Sequence, residues 1–124
     1  MSASRVALQD AKAPAQYCSA QRRLDAAYDA GLSCALALLE ANKLEAEGEG
    51  HHREAMDYMV NTLRLKGNTA AAIPVLTRAR HDGRYDGRSN VNEQVVAEGI
   101  KWAQRVLAET EQWFSVHNAL ALKL

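Results

Sequence analysis

The residues best suited to chemistry in this chain are gathered in Arg78-Ala79-Arg80-His81-Asp82-Gly83-Arg84-Tyr85-Asp86-Gly87-Arg88. Four arginines, a histidine, two aspartates and a tyrosine fall within eleven residues, a local balance of +2 in a chain of formal net charge 0. Guanidinium forks hold phosphate through paired hydrogen bonds, and an imidazole beside them can move a proton near neutral pH. Phosphate recognition and phosphodiester cleavage are therefore the two chemistries this segment suggests. Arg78, Arg80, Arg84 and Tyr85 form the candidate contact set for RNA or a nucleotide. Arg80, with Tyr85 or His81, is the candidate catalytic set. Either reading requires these side chains to converge on one accessible pocket; guanidinium groups splayed apart, or closed against carboxylates, would count against it.

The rest of the chain must position that segment, and its composition favours helices. Hydrophobic residues make up 48% and charged residues 24%, with only 6% aromatics, so Ala and Leu dominate the apolar set. At 124 residues there is enough chain for one buried core. A net charge of 0 argues against a general nucleic-acid coat and confines any such contact to a local patch.

Apolar positions Tyr17, Leu24, Ala27, Tyr28, Gly31, Ala35, Leu38 and Leu39 recur every three or four residues, which predicts a helix from Ala15 to about Asn42. The Gly-bearing acidic run 45–50 reads as a solvated loop. It lacks the alternating oxygen ligands of a calcium loop. A second helix is expected from His51 or His52 to Lys66, with Ala55, Met56, Met59 and Leu63 inward and Gly67 as its stop. A third, shorter helix runs through Ile73, Leu76 and Ala79, with Pro74 expected in its first turn and the arginine segment as the bend after it. The last opens at Asn90, with Glu93 completing a capping box, and carries Trp102 and Trp113 on roughly one side. These elements predict an all-α antiparallel bundle of four to five helices over 15–117, flanked by a frayed arm over 1–14 and a tail over 118–124.

Cys18 and Cys34 fall in one predicted helix about 24 Å apart, beyond disulfide reach, so reduced thiols and a cytoplasmic location are the expectation. No apolar run has the length of a signal peptide core or a membrane span, and no membrane association is expected. His51, His52 and Glu54 lack the spacing of a metal site; one histidine is expected to cap the second helix and the other to pack inward. No phosphate loop, nucleophile elbow or other cofactor motif is present, so no cofactor or metal is expected.

From about residue 20 to 115 the order of features resembles the HEPN superfamily. The residues that carry this are Gly50-His51-His52, Leu65-Lys66-Gly67 and Arg78 to Asp86 ahead of the final helix. The resemblance implies a helical bundle that pairs as a two-fold homodimer with the arginine segments near the interface. It also implies a link to RNA or nucleotides, and, as one partner, a small nucleotidyltransferase of a toxin-antitoxin-like pair. Catalytic members carry arginine, four to six residues, then histidine. Here Arg80 is followed at those distances by Tyr85, Asp86 and Gly87. The expected function is therefore a binding or regulatory module rather than an enzyme. The alternatives are a metal-independent endoribonuclease with an Arg80-to-Tyr85 variant of the motif, and a purely structural helical homodimer.

Overall fold

The organising element is a 22-residue helix, Ala20–Ala41 (α2), that touches every other helix. The computed structural model describes residues 2–12, 19–44, 51–85 and 91–123, with side chains described for 3–12, 19–44, 51–81 and 91–117. All regular elements among them are helical: α1 Ser2–Ala11, α2, α3 His51–Leu63, α4 Gly67–Tyr85 and α5 Glu93–Lys123. Leu24, Ala27, Tyr28, Ala30, Leu32, Cys34, Ala35, Leu38 and Leu39 of α2 are buried. That stripe is wider than a two-helix seam needs and suits a central helix packed on several sides.

α2 and α5 run parallel. Arg23 bonds Glu93, Gly31 abuts Trp102, and the Cys34 thiol contacts Thr110, so residue numbers rise together along both helices. Three successive reversals between them would have made α5 antiparallel to α2. The all-helical bundle stands, but the expected antiparallel arrangement fails for its two long helices. The N-terminal residues differ as well. Instead of a frayed arm, Ser2–Ala11 forms α1, with Ser4, Leu8 and Ala11 buried against its neighbours. Ser4 Oγ lies 3.5 Å from Cys34 Sγ, and Arg5 Nη2 lies 2.8 Å from Glu111 Oε1, tying α1 to both α2 and α5. At the other end α5 continues to Lys123, through the segment expected to be a tail. Cys34 is a free, buried thiol whose pKa is pushed up by desolvation; Cys18 lies outside the described residues.

Helix boundaries follow local hydrogen-bond chemistry. Ser19 caps α2 by accepting from the Arg22 amide at 3.2 Å, which places the start at Ala20 rather than Ala15. Asn92 caps α5 by accepting from the Val95 amide at 2.9 Å, and Glu93 turns outward to Arg23 rather than closing a capping box. Both α2 and α3 end in a left-handed residue that is not glycine: Lys43 at φ 57° and Arg64 at φ 55°. The Leu44 amide then reaches Leu39 O at 2.9 Å, and the Leu65 amide reaches Val60 O at 3.0 Å, the closing bond of a Schellman motif. α3 therefore stops at Leu63, before the Lys66-Gly67 stop read from the sequence, and Gly67 opens α4. An L side chain in this conformation carries a steric penalty that glycine escapes. Lys43→Gly and Arg64→Gly should each raise stability by about 0.5–1 kcal/mol, measured by urea denaturation.

Because α4 begins at Gly67, Pro74 lies inside the helix instead of in its first turn. Its missing N–H removes one backbone bond, a penalty offset by the burial of Ile73 and Leu76 beside it. The helix also continues past the residues expected to bend, and Arg78 to Tyr85 form its last turns.

Candidate functional site

α4 settles which of the candidate residues lie together. Residues two apart on a helix diverge by about 200° and adjacent ones by about 100°, whereas residues four apart nearly align. Arg78 and His81 are exposed and both diverge from Arg80. Positions 80 and 84 stand one turn apart on one face; positions 78, 81 and 85 share another. Arg78 and Arg80 therefore do not share a face, and Arg80 and His81 do not form a catalytic pair by position. The side chains of Arg84 and Tyr85 lie outside the described residues.

Arg80 turns toward α2 and sits in a carboxylate-lined slot, with its side chain 15% exposed. Its Nη2 donates to Asp29 Oδ1 at 3.3 Å, and its Nε lies 3.8 Å from Asp25 Oδ1. The guanidinium carbon stands 4.7 Å from the centre of the Tyr28 ring, in the range for a cation–π contact. Tyr28 is itself buried, with Trp102 stacked at 6.5 Å between ring centres. Thr77 Oγ1 donates to Ile73 O at 2.7 Å and lies 3.5 Å from the Tyr28 hydroxyl. Thus α2 supplies two acids and a ring at positions 25, 28 and 29, three- and four-residue steps along one face, and α4 supplies the cation.

The slot is not fully satisfied. Arg80 Nε is buried without a hydrogen-bond partner, as is Gln21 Oε1, although Gln21 Nε2 holds Asp25 Oδ1 at 2.9 Å. Orphaned buried polar atoms are uncommon in structures selected for stability alone. The two acids also differ: the Asp25 side chain is 18% exposed and braced by Gln21, whereas that of Asp29 is 48% exposed.

His52, in the first turn of α3, completes the surroundings. It is half-buried, its ring meets that of exposed His51 edge-on at 4.0 Å, and it lies within electrostatic reach of Arg80 and Asp29. Burial holds its pKa below the ordinary value of 6.5, neighbouring His51 and Arg80 push it the same way, and Asp29 opposes them. In a proton-NMR titration His52 should therefore titrate below 6.5. Asp29→Asn should lower its midpoint further and Arg80→Gln should raise it. Opposite movements would place the ring elsewhere. Because the folded value lies below the unfolded one, this histidine costs the fold stability as pH falls through 6.5 toward the folded pKa, and nothing at higher pH.

Of this cluster, the sequence pointed to Arg80 alone. Asp25 and Asp29 read as the polar face of a helix, and His51 and His52 as one helix cap and one packing residue, in either order. The usable signal was an Asp-x-x-Tyr-Asp spacing on the helix that faces an arginine. Among the described residues no group of three or more His, Cys, Asp or Glu is placed to hold a metal ion. No helix there is long and apolar enough to cross a membrane. Comparison with protein-family models, curated proteins and solved structures finds no match.

Proposed function

We propose that this chain is an HEPN-like binding or regulatory module that engages RNA or a nucleotide through phosphate, centred on Arg80. The observation that carries the reading is the state of Arg80: almost buried, stacked on Tyr28, held by two carboxylates, yet with Nε left without a hydrogen bond. A planar fork oriented by ring and acids suits an oxygen-rich ligand. Against the reading stand the two arrangements named at the outset: the Arg80 guanidinium is closed against Asp25 and Asp29, and Arg78 diverges from it.

The reading is narrower than the sequence suggested. Arg78 is not part of it, and His81, the described proton-transferring residue of the segment, occupies a different sector of α4 from Arg80, so binding is favoured over cleavage. A structural alternative has its own support, since both carboxylates lie on α2 and the ion pairs cross-link α2 to α4. Fluorescence anisotropy with a single-stranded RNA, in chelator and over a series of salt concentrations, separates the two. A phosphate-binding module gives an affinity that falls steeply with salt and leaves the RNA intact. A purely structural bundle gives no binding at any salt, and cleaved RNA would favour the endoribonuclease. Homodimer formation and a small nucleotidyltransferase as partner belong to the same proposal through the resemblance, and sedimentation of the purified chain tests the first.

A further inference from the structure

We infer that Asp29 is an internal occupant of the phosphate site: its carboxylate holds Arg80 in the place a phosphate oxygen would take, and a phosphate ligand must displace it. This rests on the reading of Arg80 as a phosphate-binding residue and adds how that residue is held back.

The two acids on Arg80 are not equivalent. Asp25 is braced by Gln21 at 2.9 Å and is largely covered, so it is fixed. Asp29 meets Arg80 through one bond at 3.3 Å, and its side chain is 48% exposed. Rotating it into water therefore exchanges one long hydrogen bond for hydration at small cost. Among the described side chains, two carboxylates around one guanidinium put more negative than positive charge next to the Arg80 fork, which disfavours a phosphate. With Asp29 withdrawn, one of those negative charges is removed and Arg80 Nη2 is released from its acceptor. A phosphate then gains a second hydrogen bond that the single Asp29 contact does not make. Tyr28 beneath the guanidinium keeps the fork in plane during the exchange. His52 flanks the slot from α3 in its neutral form above its lowered pKa, so it does not compensate the charge of Asp29 there.

The experiment uses the full chain with two probes, a fluorescent single-stranded RNA and inorganic pyrophosphate, near neutral pH in low salt. Wild type is compared with Asp29→Asn, Asp29→Ser, Asp29→Asn combined with Arg80→Lys, and Glu40→Gln. The last removes one negative charge from an exposed position at the far end of α2. Thermal melts confirm that each variant folds. The expected result is that both Asp29 variants bind the probes about fivefold more tightly, the scale of a partly exposed ion pair. That gain should vanish with Arg80→Lys and be absent in Glu40→Gln. Equal or weaker binding by the Asp29 variants, or the same gain in Glu40→Gln, overturns the inference. If RNA binds wild type and Asp29→Asn alike, the RNA reading stands and the displacement falls. If only pyrophosphate binding tightens, the displacement stands and the RNA reading falls. If no variant binds either probe, both fall.

Discussion

Replacing Gly31 with alanine is expected to destabilise the fold by about 2 kcal/mol, the net of two opposed effects. Alanine is the better helix former by about 1 kcal/mol. Against that, its Cβ would lie 2.0 Å from Trp102 Cη2 and 2.4 Å from Cζ3, inside any real contact distance. Overpacking of this kind costs about 1–3 kcal/mol or more. Relief is hard to find, because Trp102 is only 4% exposed and stacks on Tyr28. Gly99 is the control. A Cβ there meets Leu24 Cδ1 at 3.2 Å and Leu76 Cδ2 at 3.5 Å, both ends of flexible side chains that can give. Gly99→Ala should therefore stay within about 0.5 kcal/mol of wild type. Urea denaturation followed by tryptophan fluorescence reads both; a Gly31→Ala protein as stable as wild type would contradict the α2–α5 packing. The clash also bears on function, since the indole it would move supports the ring on which Arg80 lies.

The second large effect is expected at Arg80 itself. Arg80→Ala should lower RNA affinity on the order of 30-fold, as truncation of a central arginine anchor does. It should also reduce stability, because the largely covered Asp25 would lose its ion pair with Arg80. Those two consequences must be kept apart. Arg80→Lys does so by retaining a positive charge beside Asp25 and Asp29 while removing the planar fork and its stacking. A loss of binding in a lysine variant that melts like wild type would belong to recognition rather than folding. Arg78→Lys, on the other side of α4, should leave RNA affinity nearly unchanged.

The helices were legible in the sequence where apolar period and core coincide. The stripe from Leu24 to Leu39 and the trio Ala55, Met56 and Met59 are buried as their spacing implies. α1 was not, because its buried contacts are made by small residues, Ser4 and Ala11, with Leu8 as the single large one. Small side chains carry almost no periodic signal, and only the neighbouring helices define their role. Pro74 suggested a late start for the third helix, and the glycines of 83–87 an early end. Local propensity was overridden at Pro74 by burial on either side of it, and the helix ran on through Gly83 to Tyr85. Helix ends were misplaced where a non-glycine residue adopts the left-handed cap, as Arg64 does, since the sequence marks such caps only when glycine fills them.

The same logic explains why the site was half visible. Arg80 stood out through local density of charge, but density does not fix direction, and helical continuation through the segment sends Arg78 and His81 to a different sector from Arg80. Asp25, Asp29 and His52 belong to other helices, and only the packing of α2, α3 and α4 brings them to the guanidinium. A charge cluster that is continuous in sequence has become a smaller cluster that is continuous in space.

The central claim is that Arg80, oriented by Tyr28 and Asp25, binds phosphate of RNA or a nucleotide. Its most direct measurement is the anisotropy of a fluorescent single-stranded RNA titrated with wild type and with Arg80→Lys, in chelator at low salt. Salt-sensitive binding by wild type that weakens roughly tenfold in the lysine variant, with matching thermal melts, is the predicted result. Equal affinities for the two proteins, or no RNA binding by the folded wild type, would contradict it.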